Sequence, residues 1–135
     1  MRIHDFVDEG LGHSSDVIDL GDGTAAIVDP PRFPIGHETL AGRLGLRVAW
    51  TLDTHSHADY VTGSPCLARR SGAVFLAPAA SHLASPHQAV HDGEHVTSPR
   101  ASTCLRWPHR ATRPTTTPIS WPTAAHRLGC SRAGR

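Results

Sequence analysis

Two imidazoles and a carboxylate fall close together at His55, His57 and Asp59, inside the stretch Thr51 to Ser64, TLDTHSHADYVTGS. Histidines two positions apart on a loop leaving a rigid strand can converge on one ion, and Asp59 adds an oxygen ligand in the same turn. Neutral imidazole with carboxylate suits zinc, and also iron or manganese. An ion held in this way brings the pKa of a bound water to near neutrality and makes it a nucleophile. Spacing alone is a weak signal, because the chain has eleven histidines and solvated loop histidines give the same pattern by chance.

The elements that must position these residues are readable around them. HSSDVID (13 to 19) and TAAIVD (24 to 29) flank the turn signal Gly21-Asp22-Gly23 and predict a β-hairpin, which Pro30 and Pro31 stop. Leucines at 40, 44 and 46 predict a short amphipathic helix over 37 to 46. RVAWTL (47 to 52) is a compact apolar run, predicting a buried strand that delivers the histidines. A helix is expected from Gly63 to Arg70, a second buried strand over 73 to 77, and a turn at HDGEHV leading into a further strand. Alternating strands and helices define the α/β layered class.

Other candidates weigh less. His82, His87, His91 and His95 suit one helix face only if Pro86 and the Asp92-Gly93 turn are ignored, so they read as surface histidines. Ser14 and Ser15 follow Gly12, but neither a nucleophile elbow nor a phosphate loop surrounds them. Cys66, Cys104 and Cys130 are odd in number and unpaired in spacing, which argues against a disulfide framework or thiolate zinc site.

The order strand, THSHAD, then Gly63 opening a helix resembles the HxHxDH signature of the metallo-β-lactamase superfamily. The upstream GLGHSSDVIDLGDGTAAIVDPPR is similar to that superfamily's first hairpin, and DTHSHADYVTGS with GAVFLAP looks closest to its glyoxalase II and persulfide dioxygenase branch. The likeness covers roughly residues 10 to 96. It implies the N-terminal half of an αββα sandwich and an ancestor that turned a metal-bound hydroxide on a thioester or similar small substrate. A mononuclear iron persulfide dioxygenase-like protein is the alternative. His55 and His57 would bind a first metal, zinc or alternatively iron, while Asp59 would bind a second or orient the attacking water as a catalytic group. Asp29 would take the outer N–H of a ligand histidine, although a turn residue before proline reads equally well. The last motif histidine is Tyr60 here, a poor zinc ligand near neutral pH.

The resemblance also implies a later TPGH-type turn carrying a third ligand, and residues 1 to 135 contain none. Beyond residue 97 the chain changes character. Residues 1 to 97 hold all twelve acidic groups and six arginines, whereas 98 to 135 hold seven arginines, no acid and five prolines, without period 2 or 3.6. A frame slip near Val96 or Thr97 accounts for this. Permitted codons for Trp107 to Thr112, read from the last base of each codon into the next, spell ATPGH, and continuing gives TPGHTPDH. The expected organisation is therefore a partial metallo-β-lactamase-like domain over 1 to 97 and an irregular basic tail over 98 to 135. On this reading the hydrolase relative is truncated and impaired, with weak metal binding.

Composition bounds the remaining classes. A 39% apolar share is ordinary for one globular domain, no run approaches the roughly eighteen apolar residues of a membrane span, and MRIHDFVDEG is unlike a secretory signal. A cytoplasmic location is expected. Seven tail arginines with Trp107 and Trp121 could serve a non-catalytic nucleic-acid binder, but no recognition element is visible, so nucleic acid is not the expected partner. A small-molecule substrate is. Strict alternation along the strands would also group Val48, Trp50, Leu52, Val74 and Leu76 on one open sheet face, through which copies could self-associate.

Overall fold

A computed structural model describes residues 1–10, 12–57 and 60–107. Eight strands and two α-helices occur among them. They are β1 (Arg2–Asp8), β2 (His13–Asp19), β3 (Thr24–Val28), α1 (Ile35–Arg43), β4 (Arg47–Leu52), α2 (Ser64–Ser71), β5 (Val74–Pro78), β6 (Gln88–Val90), β7 (His95–Val96) and β8 (Leu105–Arg106). A single 3-10 turn, Ala79–Ser81, follows β5. The first six strands form one sheet in chain order, antiparallel from β1 to β3 and parallel from β3 to β6. Parallel neighbours need a crossover, and α1 and α2 provide those between β3, β4 and β5.

The expected hairpin forms, with Asp19 opposite Ala25 and Asp16 opposite Val28. The strand delivering the histidines spans Arg47–Leu52 as expected. The first helix starts earlier and stops earlier than leucine spacing suggests. Pro34 precedes its first turn, and beyond Arg43 the chain reverses through Gly45 at φ 69°. The Leu46 N–H reaches back to the Ala41 carbonyl at 2.9 Å, a helix-ending bond for which glycine's positive φ is needed. Leu46 lies outside the helix but still packs with Leu40 and Val48. Sequence reading missed β1, β6 and β8, which are short or half exposed and so show no clean alternation.

The sheet buries both faces. Val17, Ala25, Ile27 and Leu67, with Phe6, Leu40, Leu46 and Val48, fill the helical side, and Ala68, Phe75 and Ala77 extend it under α2. Ile18, Val28, Trp50, Leu52 and Leu76 line the other side, packed with Val90, Val96, Leu105 and Trp107. This corrects the expected open face in two ways. Trp50, Leu52 and Leu76 are fully buried, because the antiparallel β7–β8 pair and Trp107 lie in the same cluster. Val48 is on the opposite, helical side: β4 carries an extra residue, so Ala25 pairs with Val48 but Ala26 with Trp50, and alternation changes phase at Ala49.

Residues 98–107 are joined to the sheet by further bonds. The Asp22 carboxylate in the β2–β3 turn accepts the N–H groups of Ser102 and Thr103 at 3.0 and 2.8 Å. Trp107 N–H donates to the Glu94 carbonyl at 2.7 Å. No helix among the described residues is long and apolar enough to cross a membrane.

Candidate metal centre

Parallel strands β3 and β4 end side by side, and the residue after each is an aspartate. Asp29 N–H continues the ladder to the Leu52 carbonyl at 2.7 Å, and Asp53 N–H continues it to Leu76 at 3.0 Å. Ligand sites of parallel sheets form beyond such carboxyl ends, where loops diverge from a rigid edge. Asp29 sits there at φ 46°, a left-handed conformation costly for a residue with a side chain. The bonds made by its carboxylate hold it.

Those bonds gather the histidine loop. Asp29 Oδ1 accepts Thr54 N–H at 2.7 Å, and Oδ2 accepts the Thr54 hydroxyl at 2.5 Å. Oδ1 also lies 3.0 Å from His57 Nε2. A carboxylate only accepts, so His57 carries its proton on Nε2 and leaves Nδ1 for a metal. The Thr54 hydroxyl, spent as a donor to Asp29, accepts from His55 Nδ1 at 2.8 Å, leaving Nε2 of His55. The two rings lie 4.2 Å apart. One ligand atom each from Asp29, His55 and His57 falls within 4.8 Å of the others. Exposed His55 and half-buried His57 over a buried carboxylate form a donor set that fits a metal ion on its solvent side.

Tyr60 and His13 complete the surroundings. Tyr60 Oη is 2.9 Å from His57 Nε2 and donates to the Asp29 carbonyl at 3.4 Å. Its ring is 4.2 Å from that of His57 and 4.3 Å from that of His13. His13 Nε2 donates to the same Asp29 carbonyl at 2.8 Å. Sequence reasoning gave His13 no role. The hairpin register could have found it, since a ladder pairing Asp16 with Val28 carries His13 past the end of β3 toward Asp29.

Beneath the loop, Asp53 is 1% exposed and accepts the Thr62 and Ser64 hydroxyls at 2.7 and 2.6 Å. Burial raises its pKa from the ordinary value, against the lowering effect of the two hydroxyl bonds. Gly63 rests directly on the chain after Asp29. Its N–H donates to the Pro30 carbonyl at 2.9 Å, and a Cβ there would stand 2.2 Å from the Pro31 oxygen.

Of the residues singled out from sequence, His55, His57 and Asp29 come together. Asp59, the candidate catalytic and ligand carboxylate, lies outside the described residues. His82, His91 and His95 are exposed and His87 half-buried, and none joins a metal-capable group among the described residues. Ser15 is buried, its hydroxyl 2.7 Å from His37 Nε2. Burial lowers the His37 pKa to about 4, and the charge of His13 adds to that.

Comparison with solved structures identifies the fold. The chain is similar to the ETHE1 structure from Myxococcus xanthus, with TM-score 0.66 and 22% identity over 77% of this chain and 46% of that one. It is also similar to a metallo-β-lactamase from Staphylococcus aureus subsp. aureus COL, with TM-score 0.69 and 24% identity over 78% and 33%. The described residues carry the fold of the metallo-β-lactamase superfamily. Among curated proteins, a hydroxyacylglutathione hydrolase from Anaeromyxobacter dehalogenans (strain 2CP-C) is 44% identical over 54 residues, 40% of this chain. The chain spans 21% of that relative's length, and less than half of either solved structure. No protein-family model matches it.

Proposed function

We propose that the chain is a glyoxalase II-like metal-dependent hydrolase relative, acting on a thioester or similar small substrate, and that by itself it is impaired. The observation that carries the reading is the placement of His55 and His57 over Asp29 at the ends of β3 and β4. The local identity to hydroxyacylglutathione hydrolase supports the substrate class. His55 Nε2 and His57 Nδ1 would hold a first ion, and Asp59 would bind a second or orient the attacking water. When bound, such an ion supplies Lewis acidity and a water of lowered pKa. The chain's own contribution is orientation: Asp29 fixes the proton of His57, and Thr54 passes the same constraint to His55. Impairment follows from ligand number. A catalytic zinc normally has three protein ligands and a water, and no TPGH-type turn occurs in residues 1 to 135.

Metal analysis and zinc titration of the purified chain, with a thioester assay, test this. Binding at roughly micromolar Kd or weaker is expected, abolished by His55→Ala with His57→Ala, and turnover far below that of a complete enzyme. Nanomolar affinity or full activity would overturn the impairment. A second reading, a mononuclear iron persulfide dioxygenase-like protein, is favoured by Tyr60 only in that a poor metal ligand stands where the resemblance has another histidine, which leaves a second ion short of a ligand. Oxygen uptake with a persulfide substrate by the iron-loaded chain separates the two. We also propose that the basic segment after residue 97 is out-of-frame translation, which the coding DNA decides directly.

A further inference from the structure

The loop that carries the histidines leaves the sheet at Asp53 and re-enters regular structure at Ser64, and one buried oxygen ties the two ends together. Asp53 Oδ1 accepts both the Thr62 hydroxyl, nine residues on, and the Ser64 hydroxyl, eleven residues on, at 2.7 and 2.6 Å. Each tie is locked from a second side. The Asp53 backbone is bonded into the β4–β5 ladder. Thr62 Oγ1 accepts Ser64 N–H at 3.1 Å, and the Thr51 hydroxyl donates to the Ser64 carbonyl at 3.2 Å. Asp53, Ser64 and Thr51 are all buried. Bonds from hydroxyls to a carboxylate are shorter and roughly twice as strong as neutral ones, and a loop with fixed ends has far fewer conformations than one anchored only at β4.

Asp53 is not part of the metal-capable group of Asp29, His55 and His57, so its influence runs through the loop. We propose that Asp53, with Thr62 and Ser64, is a clasp that positions the histidine loop, setting metal affinity without touching the ion. The proposal deepens the metal-site reading and rests on it for the affinity effect, whereas the effect on loop order stands apart from any metal.

Three variants of the full chain test it: Asp53→Ala, Asp53→Asn, which keeps an acceptor oxygen, and Thr62→Val, which removes the Thr62 tie to Asp53 together with the acceptor of Ser64 N–H while the Ser64 hydroxyl still satisfies Asp53. Amide hydrogen exchange is measured without metal, and zinc or cobalt is then titrated with the cobalt spectrum as signature. For Thr62→Val, exchange at Thr54 to His57 is expected to quicken by about tenfold or more while the core amide of Ile27 keeps its rate. Metal affinity is expected to fall about tenfold in Asp53→Ala and Thr62→Val, and to return within about threefold in Asp53→Asn, with a cobalt spectrum like the parent's. Unchanged loop exchange in Thr62→Val, or equal quickening at Ile27, overturns the clasp. So does an Asp53→Asn chain that loses as much affinity as Asp53→Ala. Should the parent bind no metal, the metal reading falls, and the exchange rates in Thr62→Val alone decide the clasp. Should Asp53→Ala not fold, Thr62→Val and Asp53→Asn carry the comparison.

Discussion

Hydrogen-bond direction at single atoms decides what the histidines can do. Asp29 accepts at both oxygens, and each acceptance fixes a proton on a different imidazole. Asp29→Asn keeps the size and, because asparagine tolerates left-handed backbone better than most residues, keeps the strand end. It replaces one acceptor by a donor. Whichever way the amide turns, it faces His57 Nε2 or the Thr54 hydroxyl with N–H, and one histidine must move its proton onto the nitrogen meant for the metal. A fall of about 10- to 100-fold in zinc affinity is expected, with the displaced tautomer visible by nitrogen-15 NMR; an unchanged affinity would refute this account of Asp29. Tyr60→His is expected to add little hydrolysis or dioxygenation, since a third ligand to the first ion is still lacking, and activity assays on that variant check it. The type and spacing of His55 and His57 were legible in sequence, and Asp29 was legible as one of two readings. Asp53, Thr62 and Ser64 were not, because such residues abound in loops and their meaning depends on a path that brings positions nine and eleven apart onto one oxygen.

Strands β1 and β2 with α1 hold two titrating groups whose effects on stability oppose each other. Burial raises the Asp16 pKa from 3.8 to about 6, aided by Asp5 directly opposite on β1 and by Asp29. The folded state therefore holds a proton the unfolded chain releases, and stability falls as pH rises from about 4 to about 6. His37 does the reverse. Its pKa is lowered from 6.5 to about 4, so its burial costs nothing above pH 6.5 and progressively more as pH falls toward 4. Between pH 4 and 6 the contributions of these two groups are expected to offset each other in part. Asp16→Asn should gain about 1 kcal/mol at pH 7, a discounted figure for a half-exposed carboxyl pair, and should reveal a decline on acidification. Urea titrations at pH 4, 5, 6 and 7 measure both, and a flat profile in the variant would count against the opposition. At this scale sequence gave the hairpin, β4 and the helix order, since turn signals and apolar runs mark them. It misassigned Val48, because period-2 reasoning has no means of seeing the extra residue at Ala49.

At the scale of the molecule, the sheet face opposite the helices is covered by Val96, Leu105 and Trp107. Trp107 is 5% exposed, and Trp107→Ala is expected to cost about 3–5 kcal/mol, as for other buried aromatic truncations. A loss within about 0.5 kcal/mol in denaturant titration would mean that residues 98–107 are dispensable to the fold. Composition marked this segment as acid-free and unpatterned, and nothing in that pattern showed that it shares a buried cluster with Trp50, since a two-residue strand leaves no periodic trace. With Trp50, Leu52 and Leu76 buried, self-association would need other apolar surface, of which Ile3 and Val7 on β1 are exposed examples. The contact of Gly63 with the Pro31 carbonyl also has a genetic reading. Any side chain at 63 would push apart two loops about thirty residues distant in sequence, one ending β3 with Asp29 and the other returning from Tyr60. One codon change there would act like simultaneous lesions in both halves of the metal centre. Selection acting on either loop is thus tied to the other, and tolerance to change in residues 30–34 should depend epistatically on keeping glycine at 63.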